Sequence, residues 1–326
     1  MDILIRIKNL MQLTRFHALA PTIASCLVVL SFAHTQTSFT FINFLLLTFA
    51  LCCVHLGANL FDDFIDVKLK IKQGMKLNEV HFDTIVPKAK LIINETFSFK
   101  QVTIILSILF SIALLIGFYF AYITDWKVLI FALLGAILSL FYPIAPKYCL
   151  GEVSVGLIYG PLMILGGYYA LCGSVHPYLH LISCIIFLTT ITLLHADNLM
   201  DYEHDIKEGR KTICVLLKDK NLSILTLNYI IILAYALVTI GVFLGYLNPH
   251  TLYVYLTLPI AVKLMESMKE YIEIKNVEFK PRWYWGPFEN WEEIEKNSIA
   301  FYMFRFLLAR NYLFFFALFL SIGSNI

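Results

Sequence analysis

The sequence predicts an all-α fold: a polytopic membrane bundle of about nine transmembrane helices, organised as two related halves that each bear an Asp-rich motif. Three observations predict it. Apolar side chains make up 59% of the 326 residues and charged ones only 15%, against about one quarter charged in an average soluble domain. Apolar runs close to the ~20 residues that cross a bilayer as a helix recur along the whole chain. Two polar clusters, "ANLFDDFIDVK" (58–68) and "HADNLMDYEHDIKEGRKT" (195–212), interrupt that pattern at matched places.

The first fifteen residues, "MDILIRIKNLMQLTR", carry no cleavage-site pattern and read as an interfacial helix leading into the first span. The spans are expected near 16–34, 39–60, 101–123, 127–143, 152–173, 178–198, 222–246, 249–267 and 299–323. Residues 35–38, 174–177 and 247–248 are short, uncharged connections, whereas 61–100, 199–221 and 268–298 are long, polar and lysine-rich. With a cytoplasmic N-terminus, 24 of the 25 Lys and Arg residues fall on the cytoplasmic side, Lys127 being the exception. That asymmetry sets the orientation expected in a cell (inner) membrane, with the C-terminus outside. A net charge of +2 supplies no basic field for nucleic acid, and the seven cysteines, without a C-x-x-C pair, read as packed free thiols. The whole chain reads as one bundle.

The two polar clusters echo each other. Asn59, Asp63 and Asp66 are spaced four and three; Asn198, Asp201 and Asp205 are spaced three and four. Either spacing puts three side chains on one helical face. Each set ends an even-numbered span on the cytoplasmic side and precedes a lysine-rich loop. Asp62 also lies within a turn of Asn59 and Asp66, so periodicity alone does not choose between Asp62 and Asp63. One acid at a membrane helix end is ordinary; two matched triads are functional candidates, because buried charge in a membrane is expensive. Carboxylates with an amide oxygen are hard ligands suited to Mg²⁺, which typically bridges carboxylates to a substrate phosphate. Two facing clusters could hold Mg²⁺ around a diphosphate, with lysines neutralising the remainder and Phe- and Tyr-rich spans holding an apolar tail.

These motifs resemble the UbiA superfamily of intramembrane prenyltransferases, whose first signature is matched by Asn59, Asp63 and Asp66 and whose second by Asp201 and Asp205. More narrowly, "ANLFDDFIDVK", "LGEVSVGLIYGPLMILGGYYALCG" (150–173), "DNLMDYEHDIKEGRKT" (197–212) and "LTRFHALAPTIAS" are similar to the 1,4-dihydroxy-2-naphthoate prenyltransferases of menaquinone synthesis. The resemblance covers roughly residues 12–245; residues 263–310 have no counterpart in it. It implies an Mg²⁺-bound polyprenyl diphosphate, an allylic cation, attack by an electron-rich aromatic acceptor, and loss of CO₂ from the naphthoate ring. It implies Asp63, Asp66, Asp201 and Asp205 as metal ligands supported by Asn59 and Asn198. It places Arg15 near the diphosphate or the acceptor, and Lys88, Lys90, Arg210 and Lys211 as basic residues following the two motifs. 4-Hydroxybenzoate, homogentisate, haem or a glycerol phosphate ether are alternative acceptors within the superfamily. A cation transporter is the reading from a different class; acids clustered at one face beside lysines speak against it.

Other candidates follow from position alone. Tyr142, next to "PIAPK", and Tyr159 are the tyrosines chosen for the cavity. Lys147 is either a topology marker or a diphosphate contact. His195, one turn before Asn198, reads as a packed polar residue ahead of a base. Gly156, Gly160, Gly166 and Gly167 read as close helix packing. Residues 268–298, with Trp283, Tyr284, Trp285 and Trp291 among basic side chains, read as a membrane-surface anchor or as a cytoplasmic cap over the site. Asn290 and Glu293 suggest an N-cap for a helix running from about 291 into the last span.

Overall fold

The computed structural model describes residues 3–80, 89–273 and 279–325. Helices α1 (Ile3–Leu13), α2 (Ala20–Ala33), α3 (Phe41–Lys72), α4 (Phe99–Ile123) and α5 (Val128–Phe141) form the first half. Helices α6 (Gly151–Cys172), α7 (Tyr178–Met200), α8 (Tyr202–Lys207), α9 (Ile213–Leu217) and α10 (Lys220–Phe243) follow. The chain ends with α11 (Leu258–Glu273), α12 (Trp291–Lys296) and α13 (Ala300–Ser324). No strand occurs among the described residues.

Among the described residues seven helices are, by length and composition alone, long and apolar enough to cross a membrane. The two other expected spans take different forms. The stretch 127–143 gives only the 14-residue α5. The stretch 249–267 begins as a 3₁₀ helix, Pro249–Thr257, before α11. Pro259 lacks the N–H that would bond Tyr255 as an α-helix requires, and the Leu258 N–H takes that carbonyl in the tighter pattern. Lys263, Glu266, Lys269, Glu270 and Glu273 then make α11 amphipathic, not apolar.

The element boundaries have local causes. Thr40 accepts from the Asn43 N–H to start α3, Ser98 and Gln101 form a capping box on α4, and Asp219 caps α10. Inside α6, Pro161 breaks the α ladder and residues Ile158–Gly166 widen into a π-helix. The Tyr159 carbonyl accepts from the Ser25 hydroxyl of α2 at 2.9 Å, so it is satisfied where no water is at hand. The expected helix from 291 into the last span is broken. Asn290 sits in the left-handed region (φ 55°) without capping through its side chain, α12 stops after six residues, and Ser298 (φ 57°) separates it from α13. Trp291 donates its indole N–H to Glu295 at 2.8 Å within this short helix.

Helix α13 runs through the centre of the bundle against α2, α7 and α11, burying Leu308, Tyr312, Phe316 and Leu320 in the main core. A second apolar cluster of Leu13, Leu60, Phe64, Val67, Val102 and Leu106 fixes α1 and α4 to the later turns of α3. At 32 residues, α3 is about 48 Å long, more than the ~30 Å hydrocarbon layer. Its acids therefore lie towards one end, outside the most apolar stretch. The glycines of α6 allow close approach: a Cβ on Gly160 would lie 2.6 Å from the Ser183 carbonyl oxygen and 2.8 Å from Phe187 Cβ, both on α7. Gly135, by contrast, has open space around its Cα.

Gly160→Ala should therefore cost about 1–3 kcal/mol through overpacking, while Gly135→Ala should not destabilise. Melting curves of the two detergent-purified variants check this; equal melting temperatures would mean that α6 and α7 do not approach so closely.

Candidate active site

The site is built where α3 and α7 end side by side. The first motif lies on the last turns of α3: Asp62 and Asp63 are buried, Asn59 and Asp66 half-buried. Arg15, at the turn between α1 and α2, adopts a left-handed backbone (φ 53°, ψ 48°), a conformation that costs a non-glycine residue on the order of 1 kcal/mol or more. That conformation accompanies an ion pair from the Arg15 guanidinium to Asp63. Burial works against the Arg15 charge, but Asp63, Asp62 and Tyr142 outweigh it and hold its pKa above the ordinary arginine value.

The second motif straddles the end of α7. Asp197, Asn198 and Asp201 are half-buried, and Asp205, on α8, is only 1% exposed. Burial pushes the Asp205 carboxyl up to about 6; Arg210 pulls it back, while Asp197 and Glu152 add to the rise. Gly209, at φ 69°, turns the chain so that the Arg210 N–H bonds the Asp205 carbonyl at 2.8 Å. The Arg210 guanidinium then stands 3.7 Å from the Asp205 carboxylate, and neither carboxylate oxygen meets hydrogen-bond geometry with any donor among the described residues.

The two motifs converge. Burial opposes the Arg210 charge, yet Tyr142, Asp205, Asp62 and Asp66 together raise its pKa, so one guanidinium lies in the field of both acid sets. Lys70 of α3 and Glu208 beyond α8 form an ion pair at 3.0 Å across the same mouth. Tyr142 lies within electrostatic reach of both Arg15 and Arg210. The Lys211 N–H bonds the Pro146 carbonyl at 2.6 Å, which brings the loop after the second motif against the turn that holds Lys147. The Lys147 and Lys211 side chains themselves are exposed, as is Lys90. Lys88 lies outside the described residues.

Tyr159 sits elsewhere than at the acid mouth. Its hydroxyl lies 2.8 Å from Nδ1 of His55, and the Thr22 hydroxyl lies 2.6 Å from the same nitrogen. His55 is one turn further into α3 than Asn59, so this trio forms a deeper polar level, still within the Arg15 field. Thr22, His55, Asp197 and Tyr302 had not been singled out by sequence. Tyr302 donates to Asp197, which brings α13 into the site, beyond the part of the chain that the sequence resemblance covers. Asp197 had a visible signal, four residues before Asp201. Tyr302 is one of 45 Tyr and Phe residues, and nothing in the sequence sets it apart.

An apolar groove of about 470 Å³ lies along α3 and α4, at Phe61, Phe64, Leu106 and Phe110. Each helical residue turns the side chain by about 100°, so Phe61 and Phe64 project from the face of α3 opposite to Asn59, Asp62, Asp63 and Asp66. The groove faces away from the acids.

As a donor set, the mouth offers Asp62, Asp63, Asp66, Asp197, Asp201 and Asp205 against Arg15 and Arg210. This excess of hard oxygen donors, with the buried Asp205 oxygens lacking a hydrogen-bond donor, fits divalent cations such as Mg²⁺.

The chain is similar to known proteins along most of its length. A 1,4-dihydroxy-2-naphthoate octaprenyltransferase of Bacillus subtilis (strain 168) is 24% identical over 269 residues, covering 81% of this chain and 82% of that protein. Two solved structures share the fold. One, from work on digeranylgeranylglyceryl phosphate synthase, has a TM-score of 0.58 at 16% identity and covers 98% of both chains. The other, a UbiA homologue from Archaeoglobus fulgidus bound to DMAPP and Mg²⁺, has a TM-score of 0.56 at 14% identity and covers 94% of this chain and 98% of that one. The description of the UbiA prenyltransferase family matches residues 18–278. This chain, a multi-pass membrane protein with an acid mouth built from both halves, belongs to the UbiA prenyltransferase family and is a prenyltransferase.

Proposed function

We propose that the protein transfers a polyprenyl group from a polyprenyl diphosphate to 1,4-dihydroxy-2-naphthoate at the cytoplasmic mouth of an inner-membrane bundle. In this reaction the carbon–oxygen bond of the diphosphate breaks and the leaving group keeps the electron pair. The ring carbon bearing the carboxylate attacks the allylic cation, and CO₂ leaves to restore the aromatic ring, a step belonging to menaquinone biosynthesis. The observation that carries the reading is the convergence of the two acid sets on Arg210; the naphthoate acceptor is supported by the name of the Bacillus relative.

Asp63, Asp66, Asp201 and Asp205, with Asn59 and Asn198, would hold Mg²⁺, which as a Lewis acid neutralises the leaving diphosphate. Arg15 and Arg210 supply fixed positive charge beside it and hold Asp63 and Asp205 in place. Tyr302 orients Asp197. Tyr142, within electrostatic reach of both arginines, would present an aromatic ring where a cation has to be stabilised.

The segment after α11 serves as a cap. Trp285, Phe288 and Trp291 stack around Phe304 of α13 at ring-centroid distances of 5.8, 5.3 and 6.0 Å. Arg310 holds Glu289 at 2.9 Å and the Pro287 carbonyl at 3.0 Å, and it lies in electrostatic reach of His17, two residues from Arg15. A segment serving only as a membrane anchor would have no reason to seat its tryptophans on α13. Trp283, 89% exposed, remains available to the headgroup layer. Closing the mouth keeps water from the cation.

Three experiments test this reading. In detergent with Mg²⁺, prenyl diphosphates of several lengths and a panel of aromatic acceptors, mass spectrometry should show prenylated, decarboxylated naphthoate, abolished by EDTA. Asp63→Asn and Asp201→Asn should each lower turnover by about 10²-fold or more, the equivalent of a few kcal/mol of transition-state stabilisation, without loss of folding. Asp62→Asn should do less. Near-normal turnover in both of the first variants would remove the metal-site reading, and transfer only to another acceptor would replace the naphthoate.

Reporter fusions should place residues 70–95 and 205–220 in the cytoplasm and the C-terminus outside. A cytoplasmic C-terminus would reverse the topology of the last span.

Replacing residues 283–289 with a Gly/Ser linker of equal length should raise hydrolysis of prenyl diphosphate relative to transfer. An unchanged ratio in a folded variant would leave the segment a surface anchor.

A further inference from the structure

One buried acid of the second half is not part of the proposed metal site. Glu152, on the first turn of α6, is only 2% exposed, and a carboxyl group so placed is costly without a partner. Its Oε2 has one, because the Ile213 N–H donates to it at 3.0 Å. Ile213 opens α9, and the first N–H groups of a helix find no partner within it. Here Glu152 takes the Ile213 N–H and the Thr212 hydroxyl takes the Val215 N–H.

That bond fastens the stretch that carries Arg210. The Arg210 N–H bonds the Asp205 carbonyl at 2.8 Å, a contact within the stretch itself. Beyond Arg210, two bonds reach across to the start of α6 and the turn before it: the Lys211 N–H to the Pro146 carbonyl at 2.6 Å, and the Ile213 N–H to Glu152. With both made, the direction in which the chain leaves Arg210 is set; with the Glu152 bond gone, the stretch would be free to swing about the Lys211 bond. The Arg210 guanidinium stands 3.7 Å from the Asp205 carboxylate, outside a bidentate hold. Its place among both acid sets therefore depends on where its backbone is held.

We propose that Glu152 is a positioning residue for Arg210: its side-chain oxygen, by holding the start of α9, sets where that guanidinium meets the leaving diphosphate. The proposal rests on the reading of the mouth as a diphosphate site. Misplacing a charged group by about 1 Å can cost about 10²-fold, so one bond behind the site is enough to matter.

The surroundings supply two clean substitutions. His195 Nε2 lies 2.9 Å from the Ser223 carbonyl oxygen; a carbonyl only accepts, so Nε2 carries a proton. Nδ1 faces Glu152 Oε1 at 3.4 Å. With that imidazole neutral, Glu152→Gln keeps an oxygen for Ile213 and offers its NH₂ to Nδ1, whereas Glu152→Leu keeps bulk without an acceptor. Thr212 has an extended backbone (φ −71°, ψ 164°), the conformation favoured before proline, and proline suits the first position of a helix. Ile213→Pro therefore removes the N–H while leaving Glu152 and the backbone path in place.

Calorimetric titration of the detergent-purified protein with pyrophosphate in Mg²⁺ reads the mouth without turnover or acceptor. Glu152→Leu and Ile213→Pro should each weaken that affinity about 10-fold or more, and Glu152→Gln should stay near the unmodified protein. In an Arg210→Ala background, Glu152→Leu and Ile213→Pro should add no loss beyond about 2-fold. A Glu152 that merely supports the fold would add its full loss to that of Arg210→Ala. Full additivity, unchanged affinity in Ile213→Pro, or Glu152→Gln as weak as Glu152→Leu would each overturn the inference. If Glu152→Leu does not fold, Ile213→Pro with and without Arg210→Ala decides in the same way. An unmodified protein that binds no Mg²⁺-pyrophosphate would overturn the diphosphate reading and this inference with it, whereas binding that Ile213→Pro leaves intact overturns this inference alone.

Discussion

Concentrating carboxylates at the mouth of a membrane bundle is electrostatically expensive, and much of the arrangement around α3 and α7 can be understood as meeting that cost. Charges repel more strongly where the surroundings are apolar, and isolated ions there are strongly disfavoured. The chain answers with positive groups brought from distant sequence: Arg15 from before the first span, Arg210 from beyond the second motif, and Lys70 reaching across to Glu208. The left-handed backbone of Arg15 and the glycine turn at Gly209 are local costs accepted for these placements. The arginines do not neutralise all of the acids, and the remaining negative charge is what a metal–diphosphate complex would balance.

The second half of the chain contributes more than its own motif. Helix α13 runs through the centre of the bundle, yet its beginning supplies Tyr302 to Asp197, and its aromatic face seats the strap before it. Arg305, 1% exposed, donates to the Ser267 carbonyl at 2.7 Å and lies over the Tyr271 and Phe279 rings, joining α11, the strap and α13. Rigid support of this kind is what lets a few polar side chains keep their geometry beside a reacting cation.

The fold class was legible because lipid demands long apolar helices. The paired acids were legible because charges inside such a chain stand out against it. What escaped was set by tertiary contact. The run at 249–267 looked like an ordinary span until Pro259 and the charges of α11 recast it as a 3₁₀ stretch and an amphipathic helix. Asn290 carried the residue type of a cap but not the backbone of one. Tyr159 was marked for the cavity from position, and the partners of its hydroxyl, His55 and Thr22 at a deeper level, had no signal in the sequence. Tyr302 had no local signature, because its role comes only from the chain folding back onto Asp197. Glu152 lay within a recognisable stretch, yet its partners His195 and Ile213 come from two other helices.

The π-helix of α6 has a mechanical consequence. Tyr159 is held at both ends by the first half of the chain: its backbone oxygen by Ser25 of α2, its hydroxyl by His55 of α3. Separating α6 from those helices at this level would break two polar bonds where water is scarce, each worth on the order of 1 kcal/mol in a membrane interior. Tyr159 thus acts as a rivet between the halves. Shape changes that admit or release a long lipid are steered away from this seam, towards the periphery where α4 leans chiefly on α3 and shows most of its surface to the bilayer.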